Sequence, residues 1–164
     1  MRRHLLARVV LTAVLIAGCG VRPSGVIPGG PAPTGGVLVR PGTPPGPAAV
    51  LYFLDGSSLT PALRPTRQHL SPTRTLALLQ NGPNDDERAA NLTSEVPTGL
   101  DPVTVTTDAS GNVAVAVSAD VTTLSTTAVD QIVCTVRDAL STTAPITLTG
   151  DAATRGPRSC PLTG

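Results

Sequence analysis

From Gly20 to Ala48 the chain reads GVRPSGVIPGGPAPTGGVLVRPGTPPGPA, with Gly or Pro at more than half of the positions and no apolar period. Proline fixes φ and has no amide proton, and glycine carries nothing to pack. A segment of this kind buries too little surface to offset the entropy of ordering it. It is expected to be a disordered leash, reaching about 30 Å as a flexible coil and roughly 90 Å if drawn into polyproline II. The island Gly36–Pro41 (GVLVRP) is the one place where local packing is conceivable. Of 164 residues, those from Ala49 onward leave room for one ordinary domain and no second core.

Ahead of the leash, Met1–Arg8 are basic, Val9–Ala17 are apolar, and Ala17 and Gly18 are small. That is the order of a signal peptide. The apolar run is too short for a bilayer crossing, which takes about 20 residues. Leu15, Ile16, Ala17, Gly18 and Cys19 resemble the lipobox of bacterial lipoproteins. The resemblance implies a lipoprotein signal peptide over residues 1–18, cleavage before Cys19, and a diacylglycerol and palmitate-type chains on that cysteine. A buried methylene contributes about 0.8 kcal/mol, so two or three acyl chains hold firmly where one holds marginally. The expected location is the outer, extracytoplasmic face of the cytoplasmic membrane. The plainer alternative is an ordinary signal peptide with a chance cysteine.

Aromatic residues are 1% of the chain, Tyr52 and Phe53 alone, so a core must be built from Val, Leu, Ile and Ala. All twelve cations are arginine, and loss of Arg2, Arg3 and Arg8 would turn a formal charge of +1 slightly acidic. A nucleic-acid binder would carry a basic stripe interleaved with stacking aromatics, and that pattern is missing.

Periodic structure begins at AVLYFLDG, a β-forming run that ends on the turn pair Asp55-Gly56; SSLTPALRP then returns as a second strand, which Pro61 makes either an edge strand or a broken one. LSPTRTLALLQNGP carries helix punctuation: Ser71 as N-cap, Pro72 at the first position, Gly82 past the end and Pro83 to stop it. In NDDERAANL, Asn84 can cap a short second helix, with Glu87 three residues on completing a capping box. PVTVTTDASGNVAVAVSAD alternates on both sides of a turn at Asp108–Asn112, with Val103 and Val105 on one face of the first strand and Val113, Val115 and Val117 sharing a face of the second. STTAVDQIVCTVRDAL predicts the longest helix, its Val129, Ile132, Val133, Val136 and Leu140 forming a narrow stripe. APITLTGD predicts a closing strand.

With Cys19 assigned to lipid, the remaining cysteines are Cys134 and Cys160, a pair in an oxidising compartment. Cys134 lies more than about 90° from the centre of the apolar stripe, so it is not placed as a core filler. A tail folded back over the helix and stapled by Cys134–Cys160 follows, worth roughly 3 to 4 kcal/mol by loop closure. Two free thiols are the alternative.

Catalytic and metal chemistry is sparse. His69 is the only histidine beyond the signal segment and reads as a solvated loop side chain. A zinc site needs three or four converging ligands, and no metal or other cofactor is expected. Asp85, Asp86 and Glu87 are consecutive, so a helix splays them apart; they read as complements to a helix N-terminus. Asp108 lacks the spaced oxygens of a calcium loop and reads as a turn residue. The expectation is a protein that is not an enzyme.

The order of these elements is similar to the GerMN domain of sporulation and spore germination proteins, which occurs in actinobacterial envelope lipoproteins. Leu78, Leu79, Gly82, Pro83, Glu87, Leu92, Ser94 and Pro97 carry the resemblance. Asn91 stands where the family usually has Gly, and asparagine also accepts a left-handed backbone. The strand VAVAVSADV lacks an acidic residue often found there. The resemblance implies an α/β (α+β) domain over residues 49–164, with two or three helices on a small mixed sheet of about five strands, akin to ring-building motifs. It implies no catalytic residues. Two functions follow as expectations: a membrane-anchored interaction or scaffold module docking on an envelope protein, or a ligand-binding sensory lipoprotein working with a membrane kinase.

Overall fold

The computed structural model describes residues 46–162. The expected signal peptide, Cys19 and the leash up to residue 45 lie outside the described residues. The domain opens with β1 (Ala48–Asp55) and β2 (Ser58–Pro65), an antiparallel hairpin that pairs Tyr52 with Pro61 and Leu54 with Leu59. Ala48, placed at the end of the leash by composition, is the first residue of β1. Of the two outcomes expected of Pro61, an edge strand or a broken one, the structure shows a continuous edge strand: the first sheet has the order β2-β1-β3, with β3 (Leu92–Thr93) on the far side of β1. Pro61 is tolerated because Tyr52 directs its backbone N–H and C=O away from β2. The pair is thus a non-hydrogen-bonded one, in which no amide proton is needed on Pro61.

Between these strands the two short helices form where their caps predict. In α1 (Pro72–Gln80) the Ser71 hydroxyl accepts from the Arg74 N–H at 3.3 Å, and Gly82 follows at φ +72°. In α2 (Asp85–Ala89) the capping box is closed: Asn84 Oδ1 accepts from the Glu87 N–H at 2.9 Å, and Glu87 Oε2 accepts from the Asn84 N–H at 2.7 Å. Asn91 adopts φ 62°, the left-handed geometry anticipated for it.

The second sheet has the order β4-β5-β6-β7. β4 (Thr104–Thr107) and β5 (Val113–Ala116) form the expected hairpin, with Val113 and Val115 buried on one face. The long helix α3 (Thr126–Leu140), N-capped by Ser125, carries the chain to β6 (Ile146–Thr149), which lies parallel to β5. β7 (Thr154–Arg158) then returns antiparallel to β6. The α+β class agrees with expectation; among the described residues there are three helices, and the strands number seven and divide between two sheets. Two strands escape sequence reading: β3 is two residues long, and β7 reads TRGPR, without an apolar alternation. Gly150, just past β6, allows the segment at Ala119 to pack against it, since a Cβ there would collide with the Ala119 carbonyl oxygen.

One apolar cluster joins both sheets to the helices, with Leu51 and Phe53 of β1, Leu76 and Leu79 of α1, Ile132 of α3 and Leu148 of β6 all at its centre. Small aliphatic side chains dominate it, as the lack of aromatics requires.

Candidate functional site

Helix α3 is enclosed on three sides, and most of the long-range polar chemistry of the domain is arranged around it. Val129, Ile132, Val133 and Val136 face the core and are buried. Residues 131 and 135, one turn apart, form a second face set against β1. Thr135 Oγ1 accepts from the Tyr52 N–H at 3.1 Å, and Gln131 Nε2 donates to the Tyr52 carbonyl at 2.9 Å. Gln131 Oε1 also accepts from the Glu95 N–H at 2.9 Å. Strand β3 covers only the end of β1 at Leu54 and Asp55, so the backbone of Tyr52 has no strand partner on that side. The two helix side chains take the place of the missing strand. Buried backbone groups must find such partners, because leaving one orphaned costs about 1–3 kcal/mol.

The third face of α3 receives the C-terminal tail. Arg158 donates to Asp130 through two of its three guanidinium nitrogens, Nε to Oδ1 and Nη2 to Oδ2, the latter at 2.8 Å. Cys134 and Cys160 are joined, Sγ to Sγ 2.00 Å and Cα to Cα 4.8 Å. Arg137 Nη1 donates to the Leu162 carbonyl at 2.5 Å. Successive turns of the helix thus meet alternate residues of the tail, from Arg158 at the end of β7 to Leu162. Cys134 is off the apolar stripe, as its angle predicted, yet it is completely buried because the tail covers it.

A hydrogen-bonded cluster closes the far end of the helix. The Tyr52 hydroxyl donates to Asp138 Oδ2 at 2.8 Å, while Arg137 Nε and Nη2 donate to Asp138 Oδ1 at 3.1 and 3.0 Å. Burial, and then the hydrogen bond and negative charge of Asp138, push the Tyr52 phenol above its ordinary value. Beside this cluster lies a cavity of about 160 Å³ whose lining includes His69, Leu70, Thr75, Asp138 and Ser141. Ser141, the residue that ends α3, is left-handed at φ 50°, where glycine is usual.

The residues singled out by sequence fall as follows. His69 is exposed and sits on the wall of that cavity. Asp85 and Asp86 are exposed in the first turn of α2, whereas Glu87 is buried and ion-paired with Arg64, whose guanidinium carbon also lies 5.8 Å from the centre of the Phe53 ring. Asp108 is a turn residue: its Oδ1 accepts from the Ser110 and Asn112 N–H groups at 2.8 and 2.9 Å, and its Oδ2 from the Asn112 amide at 2.8 Å. The Asn112 side chain is the main reason its carboxyl is held below the usual range. Among the described residues no group of three His, Cys, Asp or Glu side chains is placed to hold a metal, and no helix is long and apolar enough to cross a membrane. The functions of Gln131, Thr135, Asp130 and Arg137 were not legible, because each has a partner more than 20 residues away. The available signal was their polarity inside a helix otherwise fit for burial.

Among the described residues, two small sheets, three helices and a tail bolted to the longest helix define a small α+β domain whose polar groups hold its own frame. The family whose sequence model matches is Germane, described as sporulation and spore germination; the match spans residues 50–153. The chain belongs to that family. The matched span begins within β1 and ends before β7, so the stapled tail lies beyond it. No curated protein and no solved structure matches the chain.

Proposed function

We propose that this Germane-family protein is a lipoprotein of the actinobacterial type, anchored through Cys19 to the extracytoplasmic face of the cell membrane, and that it serves the envelope as a non-catalytic interaction or scaffold module. The observation that carries the reading is how the buried polar side chains are used. Gln131 and Thr135 complete the edge of β1, Asp130 and Arg137 hold the tail, and Glu87 closes a cap and an ion pair. A group engaged in this way is a poor acid, base or nucleophile, since freeing it costs about 1–3 kcal/mol. What such a domain offers is a fixed surface on a leash, suited to docking on an envelope protein.

In-cell crosslinking followed by mass spectrometry tests the docking, and the expected outcome is one recurrent envelope partner; recovery of none across growth conditions counts against it. The anchor is tested by metabolic labelling with a palmitate analogue. Label should be lost in Cys19→Ser, and label that persists there rejects the anchor.

The cavity beside His69 and Asp138 favours a second reading, a sensory lipoprotein that binds a small molecule and reports to a membrane kinase. A thermal-shift screen separates the two. A ligand whose stabilisation disappears on filling the cavity with Ser141→Leu, in a variant that still folds, supports sensing over scaffolding.

A further inference from the structure

The near-neutral total charge conceals a segregation. Asp55 is the first acid of the chain and Asp85 the second, so Gly56–Asn84 contains Arg64, Arg67, His69 and Arg74 with no carboxylate. Elsewhere among the described residues, Arg88, Arg137, Arg155 and Arg158 stand against all eleven acids. The basic segment builds β2, the loop after it and α1. It is bonded to the point where the leash joins the domain, for the Thr66 N–H donates to the Pro47 carbonyl at 2.9 Å.

The arginines also differ in what they do. Arg64, Arg88, Arg137 and Arg158 each pair with a carboxylate, and Arg155 donates to the carbonyls of Val121 and Leu124. Arg67 and Arg74 are exposed, and among the described residues neither side chain makes a hydrogen bond or an ion pair. On the same hairpin Leu63, the one exposed large apolar side chain among the described residues, stands opposite Val50. Two uncommitted cations, a histidine and an exposed leucine therefore lie on the segment bonded to the root of the leash, and the carboxylates that reach this segment are already engaged, Glu87 by Arg64 and Asp138 by Tyr52 and Arg137.

We infer that this leash-root face docks on the anionic headgroups of the lipid surface to which the chain is tethered. The inference rests on the proposed anchor and adds an orientation to it: basic end to the membrane, acidic remainder outward. Each arginine brought to an anionic leaflet contributes a modest attraction that dies away within a Debye length. The leash keeps the domain close enough for this small attraction to set its orientation.

The test uses the chain from residue 19 onward with Cys19→Ser, so that no acyl chain contributes, and measures its partition onto phosphatidylcholine vesicles with and without phosphatidylglycerol. Partition should require the anionic lipid, weaken steeply with added salt, and fall about 30-fold in Arg67→Ser/Arg74→Ser. Arg88→Ser, an exposed arginine of the acidic region, should leave it unchanged. Equal binding to neutral vesicles, indifference to salt in the parent chain, or an unaltered double variant with native circular dichroism overturns the inference. So does release by inorganic phosphate at matched ionic strength, which would mark a site for soluble phosphate. Palmitate labelling reads the anchor and vesicle partition reads the face, so the two ideas fail separately.

Discussion

Tyr52 is the sole tyrosine in a chain without tryptophan, so its ionisation can be followed directly in the near-ultraviolet. Its titration should be centred above the roughly 10 of a free phenol, because burial disfavours the phenolate and Asp138 accepts the hydroxyl proton. The folded value is raised, so the stability this group contributes is complete below pH about 10 and is lost as pH climbs through the folded value. Tyr52→Phe should flatten that alkaline loss and cost about 1 kcal/mol at neutral pH in urea unfolding. Ser141 gives the opposite sign. It holds φ 50° without being glycine, so Ser141→Gly should raise stability by about 0.5–1 kcal/mol, read as an upward shift of the thermal midpoint. A lowered midpoint would mean that the serine side chain secures the end of α3.

Among the elements, α3 decides how the first sheet is finished. Thr135→Val keeps the shape of the side chain and removes the acceptor for the buried Tyr52 N–H, so it should cost about 1–3 kcal/mol. Gln131→Leu strands the Tyr52 carbonyl and the Glu95 N–H together and should cost more. If either proves neutral in urea unfolding, water substitutes for the helix at that edge and the surrogate-strand account fails. The staple is a separate matter. Cys134 and Cys160 are 26 residues apart, and Cys134→Ala/Cys160→Ala should lose roughly 3–4 kcal/mol by loop closure. Hydrogen exchange should still report a docked tail in that variant, since Asp130–Arg158 and Arg137–Leu162 remain.

At the scale of the whole molecule, one apolar cluster spans both sheets, so unfolding should be a single transition. Tyr52 absorbance, which reports the first sheet, should coincide with far-ultraviolet circular dichroism; two midpoints would show that the sheets unfold independently. The amino-acid sequence by itself determined whatever depends on neighbours a few residues away. The Ser71 and Asn84 caps, the Asp55-Gly56 turn, the α3 stripe and the restriction of Pro61 to an edge or a break are all local contests between backbone hydrogen bonding, steric freedom and periodic burial. Tertiary structure alone decided the division into two sheets, the short β3, the strand in TRGPR, and the choice of Gln131 and Thr135 to satisfy Tyr52. Those outcomes depend on which distant groups meet at a sheet edge or a helix flank. A residue's type states that it needs a partner, and only the folded chain determines which partner comes within reach.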